Sequence, residues 1–156
     1  MAPPHGRAGK DLWLHQVQTA LPGDVDALFQ RLPEAARADV EVVKAAVLRS
    51  ARCLGYASLE LRADAGFMIG MVAQSGIRLQ FASETLRGNR DVVLKAVKQH
   101  GAALQYASEL LRGDREVVLA ALAAYKGDPH THPFRWAAGF CDPTRTWLLR
   151  PWSRSR

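Results

Sequence analysis

The sequence predicts an all-α protein built from short tandem two-helix repeats with a 25-residue period, stacked as a small α-solenoid or compact helical bundle. Three observations lead there. Shifting the chain by 25 positions aligns Asp39, Asp64, Asn89 and Asp114 without a gap. The segments that these residues open, DVEVVKAAV, DAGFMIGMV, NRDVVLKAV and DREVVLAAL, place apolar residues at i, i+1, i+4 and i+5, which is one stripe of a helix. The segments that follow, ARCLGYASLELRA, GIRLQFASETLRG and GAALQYASELLRG, copy one another. The last two agree at nine of thirteen positions, where typical residue usage gives about one match by chance.

Taken in order, DLWLHQVQTAL, ended by Pro22-Gly23, reads as an amphipathic helix, and Asp24 opens a second over VDALFQRL. The stretch FQRLPEAARA is a degraded second half. Its Gln30, Glu34, Arg37 and Ala38 fall on Gln105, Glu109, Arg112 and Gly113, with Pro33 where Ser108 stands. Residues 1–38 are therefore expected to be N-terminal helices with a degenerate capping repeat, 39–126 the repeat domain of three full copies plus a first helix, and 127–156 an irregular tail.

Within each copy the leading Asp or Asn can accept hydrogen bonds from first-turn amides, and Glu41, Asp91 and Glu116 sit where the helix dipole favours negative charge. Gly76 and Gly101 are expected to end the first helix in the left-handed conformation. In the third copy Leu104, Ala107 and Leu111, widened by Tyr106 and Leu110, form the stripe of a second helix that Arg112 and Gly113 close. Helices of about ten residues are marginal alone in water, so neighbouring copies must cover one another's apolar faces.

Composition narrows the class. The 156 residues are 48% apolar and 23% charged, as in globular proteins, and no segment reaches membrane-spanning length. The first twenty residues hold no unbroken apolar stretch of the signal-peptide kind. A soluble protein is expected, intracellular and most simply cytoplasmic. Cys53 and Cys141 lie far apart with no C-x-x-C partner, so neither a disulfide framework nor a zinc ribbon is written here. The net charge of +6 is concentrated at the end: residues 125–156 carry six basic and two acidic groups, whereas 39–124 carry eleven and nine. A uniformly basic nucleic-acid face along the repeats is therefore not supported.

In NRDVVLKAVKQHGAALQYASELLRGDREVVLAAL, the elements D/N-R-D/E-V-V-L, a glycine before the second helix and L-Q-Y-A-S-E-x-L-R recur at fixed spacing. This combination resembles the tandem repeats of the family named domain of unknown function 4116. The likeness covers residues 39–124, and the second copy departs most, with Gly66 and Gly70 inside its first helix. The resemblance implies a helical repeat fold and brings no activity, substrate or catalytic residue with it.

Several positions invite a chemical role. The triplets Tyr56-Ala57-Ser58, Phe81-Ala82-Ser83 and Tyr106-Ala107-Ser108 offer a repeated serine, but Phe81 dispenses with the hydroxyl, so the aromatic position concerns packing and the serine is expected to bond back to helix carbonyls. Arg62, Arg87 and Arg112 are expected to complement helix C-termini, reaching towards the following Asp, or to form a ladder that binds an acidic partner. Gln80, Gln105, Glu84 and Glu109 share their helices and complete the candidate partner-binding set. Asp128, His130, His132 and Cys141 do not match a zinc spacing, and His100 has no recurring Asp or Cys to form a triad.

In residues 127–156, Trp136, Trp147, Trp152, Phe134 and Phe140 interleave with arginines. Such a tail can stack on single-stranded nucleic acid or meet an anionic membrane, cap the last repeat, or be a loosely constrained extension. The expected function is a non-enzymatic helical-repeat module, without cofactor or metal, that binds another protein. The alternative is nucleic-acid or anionic-surface binding through the basic aromatic tail.

Overall fold

The computed structural model describes residues 7–21 and 23–125. Among them the backbone forms eleven α-helical and two 3-10 segments and no strand, so the all-α expectation holds. The chain divides into two compact units. The first spans Met1–Met71 with Phe81–Ser83, and the second Val72–Gln80 with Glu84–Arg156.

The first unit contains α1 (Arg7–Thr19), α2 (Val25–Arg31), α3 (Glu34–Ala38), α4 (Val40–Arg49), α5 (Cys53–Tyr56), α6 (Leu59–Ala63) and α7 (Ala65–Gln74) as far as Met71. Helix α4 is its centre, with α1, α2, α3 and α5 all packed against it. Val42, Val43, Ala46 and Val47 are buried on α4, which is the predicted stripe. They meet a core that includes Trp13, Val17, Val25, Phe29 and Leu54. Burial of each such side chain contributes on the order of 1.5–3 kcal/mol, far more than the propensity of any of these short helices. The α1 helix begins at Arg7, ahead of the expected Asp11, and is tied to α4 at its far end. There Arg49 donates from Nη1 to the Gln18 carbonyl at 2.9 Å and from Nη2 to the Ala20 carbonyl at 2.6 Å. A cation thereby satisfies the last carbonyls of a helix that has no glycine cap.

The second unit holds the rest of α7, a 3-10 segment (Gly76–Phe81) as far as Gln80, α8 (Glu84–Arg87), α9 (Arg90–Gln99), a second 3-10 segment (Gly101–Tyr106), α10 (Glu109–Arg112) and α11 (Arg115–Ala123). Helices α9 and α11 and the second 3-10 segment pack mutually. Val92, Val93, Ala96 and Val97 are buried on α9 and Val117, Val118 and Ala121 on α11, with Leu104 between them at the core. The glycines of the second copy are tolerated: α7 runs unbroken through the exposed Gly66 and Gly70.

The predicted caps are present. Asp39 accepts from the amides of Glu41 and Val42, Asn89 from those of Asp91 and Val92, Asp64 from that of Phe67 and Asp114 from that of Val117. Asp24 differs, since it precedes α2 in helical geometry and makes no side-chain cap bond.

Two local expectations are corrected. Gly76 and Gly101 are not left-handed stops. Each starts a 3-10 segment, and what demands glycine is proximity: a Cβ on Gly76 would lie 2.2 Å from the Ala96 carbonyl oxygen, and one on Gly101 2.3 Å from that of Ala121. The second half of each copy is also not one helix. It breaks at the Ala-Ser pair, where Ala57 and Ser58 have ψ of 155° and 152°, and Ala107 and Ser108 have 158° and 157°. One segment runs before the break and a short α-helix after it.

Candidate interaction surface

The break exists because the serine has two local tasks. Its hydroxyl caps the short helix that follows: Ser58 Oγ accepts from the Leu61 amide at 3.3 Å and Ser108 Oγ from the Leu111 amide at 3.5 Å. This replaces the expected back-bonding to helix carbonyls. Its own amide leaves the copy altogether. Ser58 donates to the Arg37 carbonyl at 2.9 Å, Ser83 to Arg62 at 2.9 Å and Ser108 to Arg87 at 2.8 Å. Each bond spans 21 residues and joins a copy to the arginine that closes the copy before it. The extended alanine before the serine turns that amide outward, whereas a continuous helix would have pointed it along its own axis.

Pro33 fits the same scheme. It stands in the serine position with φ −61° and ψ 157°, next to the −58° and 157° of Ser108. It has no amide hydrogen to donate, and the position 21 residues upstream is Leu12 of α1, outside the arginine series. The sequence alignment of Pro33 with Ser108 was therefore structurally sound, while the reason for it was invisible until the amide's partner was known.

Arg37, Arg62 and Arg87, which supply these carbonyls, and Arg112, the next in the series, are all half-buried. Arg62 donates from Nε to the Ala57 carbonyl at 3.2 Å. At Arg37, Arg87 and Arg112 the Nε atom is buried with no hydrogen-bond partner. Among the described residues none of them pairs with the following acid, contrary to expectation. The acids are served from elsewhere. Arg90 pairs with Asp114 at 2.8 Å and with Glu116, and Lys10 pairs with Asp39 at 3.5 Å and with Glu41. Both bases have their affinity for the proton raised: Lys10 chiefly by its hydrogen bond to Glu41, and Arg90 chiefly by the charge of Asp114. These pairs were not foreseen. For Arg90 the signal was present as a base 24 and 26 residues before two acids, but only a 25-residue register makes that spacing a contact; Lys10, 29 and 31 residues before its acids, lies outside that register.

The other members of the candidate set lie on the outside. Glu84, Glu109 and Gln80 are exposed and Gln105 is half-buried. In the first unit an open depression of about 370 Å³ is lined by Glu34, Ala35, Ala38, Ser58, Leu59 and Glu60. No histidine lines it, and His100 is exposed in the second unit. Among the described residues no group of three or more His, Cys, Asp or Glu side chains is placed to hold a metal, and no helix is long and apolar enough to cross a membrane. Asp128, His130, His132, Cys141 and the tail aromatics lie outside the described residues.

Cys53 is buried, and its thiol donates to Asp26 Oδ1 at 3.3 Å. Burial, followed by that carboxylate, pushes its pKa up to about 12. A thiol so held is protonated at neutral pH and is a packing group rather than a nucleophile.

No curated protein and no solved structure matches the chain. The family model described as Domain of unknown function (DUF4116) matches residues 39–87 and 89–126, two adjacent segments that cover more than half of the sequence and follow the repeat. With the serine-to-arginine links and the acid-opened helices on the same residues, the chain belongs to the DUF4116 family.

Proposed function

We propose that the protein is a non-enzymatic helical-repeat module, its copies stacked in the manner of a short α-solenoid, that binds another protein through the repeated outer face of its second halves. The observation that carries this reading is the spread of its polar groups. Arg37, Arg62, Arg87 and Arg112 recur every 25 residues, and Glu34, Glu84 and Glu109 share one register that only the first full copy breaks, with Leu59, so like side chains are laid out along the array. Catalysis needs unlike groups converging on one atom. A repeated surface suits recognition of an extended partner.

The hydroxyls of Ser58 and Ser108 are engaged in helix capping, which supports the same reading. Affinity capture with three forms tests it: the intact chain, residues 1–125, and a chain carrying Glu84→Lys and Glu109→Lys at two exposed positions. The expected result is a protein partner retained by the first two forms and lost by the third. Retention that requires residues 127–156 and collapses with added salt points to nucleic acid instead, and would overturn the proposal.

A further inference from the structure

The second unit shows how one copy covers another. Helix α9 packs against α11, and a stripe on α9 beginning at Arg90 continues through Leu94 and Val97, at i, i+4 and i+7. Arg90 grips the two carboxylates that open α11, Asp114 and Glu116, and Val97 is completely buried. The Arg87 carbonyl meanwhile receives the Ser108 amide.

Twenty-five residues later the same devices recur without their counterparts. Arg115, Leu119 and Leu122 form the identical stripe on α11. Arg115 is exposed and pairs with no acid among the described residues. Leu119 is 47% exposed, and Leu122, which stands where Val97 is buried, is half-exposed. The Arg112 carbonyl has no equivalent of the serine bond among the described residues. One register further along the sequence, Gly139 and Cys141 stand at the positions of Asp114 and Glu116, and Pro133, which has no amide hydrogen, stands at that of Ser108.

We propose that this end of the second unit docks a helix of the same kind carried by another polypeptide: an amphipathic helix whose cap residue and second residue are both acidic. The inference goes beyond the protein-binding reading above: it adds a second face, on the first helix of the fourth copy, with its own partner chemistry. The positive stripe head takes the two carboxylates, and Leu119 and Leu122 take the apolar face.

The test is a fluorescently labelled synthetic peptide with the sequence Ser108–Tyr125, titrated with the full chain and followed by anisotropy. Binding is expected to saturate, to weaken at least tenfold with Arg115→Glu, and to recover when the peptide carries Asp114→Arg and Glu116→Arg. The Arg115→Glu change adds negative charge to a helix N-terminus, where it is tolerated. Absence of binding at millimolar peptide overturns the proposal, and if the Glu84/Glu109 variant still loses a captured protein, the general reading survives it. Sensitivity to Arg90→Glu in place of Arg115→Glu means that the peptide displaces α11, and also overturns it. Sedimentation showing Arg115-dependent self-association of the chain alone would assign the face to a second copy and overturn it too.

Discussion

The two units solve one packing problem by different means. In the first, α4 is covered by α1, a helix outside the repeat, and the joint is made by long side chains: Lys10 reaches Asp39 and Glu41, and Arg49 reaches back to the end of α1. In the second, repeat packs on repeat, and the joint combines a backbone approach, with Gly101 against the Ala121 carbonyl, and the Arg90 clamp on Asp114 and Glu116. The acid pair at the start of a first helix thus receives a base from either kind of neighbour. Within the second unit, close backbone contact appears where two copies meet.

That contrast can be broken most severely at the glycine. Gly101→Ala forces a methyl into a backbone oxygen that has no rotamer by which to retreat, and is expected to cost about 3 kcal/mol or more in urea unfolding, at the upper end for overpacking. The exposed Gly70, where an added methyl would meet nothing within 4 Å, is the control. Its change to Ala is expected to stabilise α7 by about 0.5–1 kcal/mol. Equal effects at the two positions would remove the distinction.

A smaller effect separates the serine amide from its hydroxyl. Ser108 has φ −58° after an extended Ala107, a geometry that proline accepts. Ser108→Ala removes the cap alone, worth about 1 kcal/mol, whereas Ser108→Pro also removes the amide donor. The proline variant is expected to be less stable than the alanine variant by about 1–3 kcal/mol, the cost of leaving the Arg87 carbonyl without its partner. Pro33→Ser, the reverse exchange, adds a capping hydroxyl worth about 1 kcal/mol and loses the rigidity of proline, about 0.4–1 kcal/mol, and with no arginine 21 residues before it the net change is expected to be less than about 0.5 kcal/mol.

Much of this was legible in the sequence, because an internal repeat carries its own alignment. The α4 stripe, the caps at Asp39, Asn89 and Asp114, and the kinship of FQRLPEAARA with the later second halves all follow from periodicity and residue type. What was not legible is where an amide or carbonyl goes once it leaves its own copy. Leu104, Ala107 and Leu111 satisfy a helical spacing whether or not the chain breaks at Ser108, so pattern alone joined two segments into one helix. Gly76 and Gly101 look like helix stops, yet the contact that selects them lies 20 residues away. The arginine ladder was visible as a series, but its carbonyls, rather than its guanidinium groups, make the recurring bond.

Two milder comparisons follow. Asp39→Ala is expected to cost about 1 kcal/mol, while Asp24→Ala, which removes no cap bond, should leave thermal stability nearly unchanged. Cys53 predicts a pH effect confined to the first unit. Its folded pKa lies above the ordinary thiol value of 9.0, at about 12, so the folded state holds the proton more tightly. The associated stability is complete below pH 9 and is lost as pH rises towards 12. In a Cys141→Ser background, Cys53 should resist thiol reagents at neutral pH, and Cys53→Ala should flatten the alkaline decline.

Amide hydrogen exchange at Ser58, Ser83 and Ser108 bears most directly on the serine-to-arginine link. Each opens a short helix, where a backbone amide without a partner in the protein exchanges freely. If the links hold the copies together, the three serine amides exchange slowly, near the rate of the buried valines of α4 and α9. Exchange at the rate of an unprotected chain would contradict it.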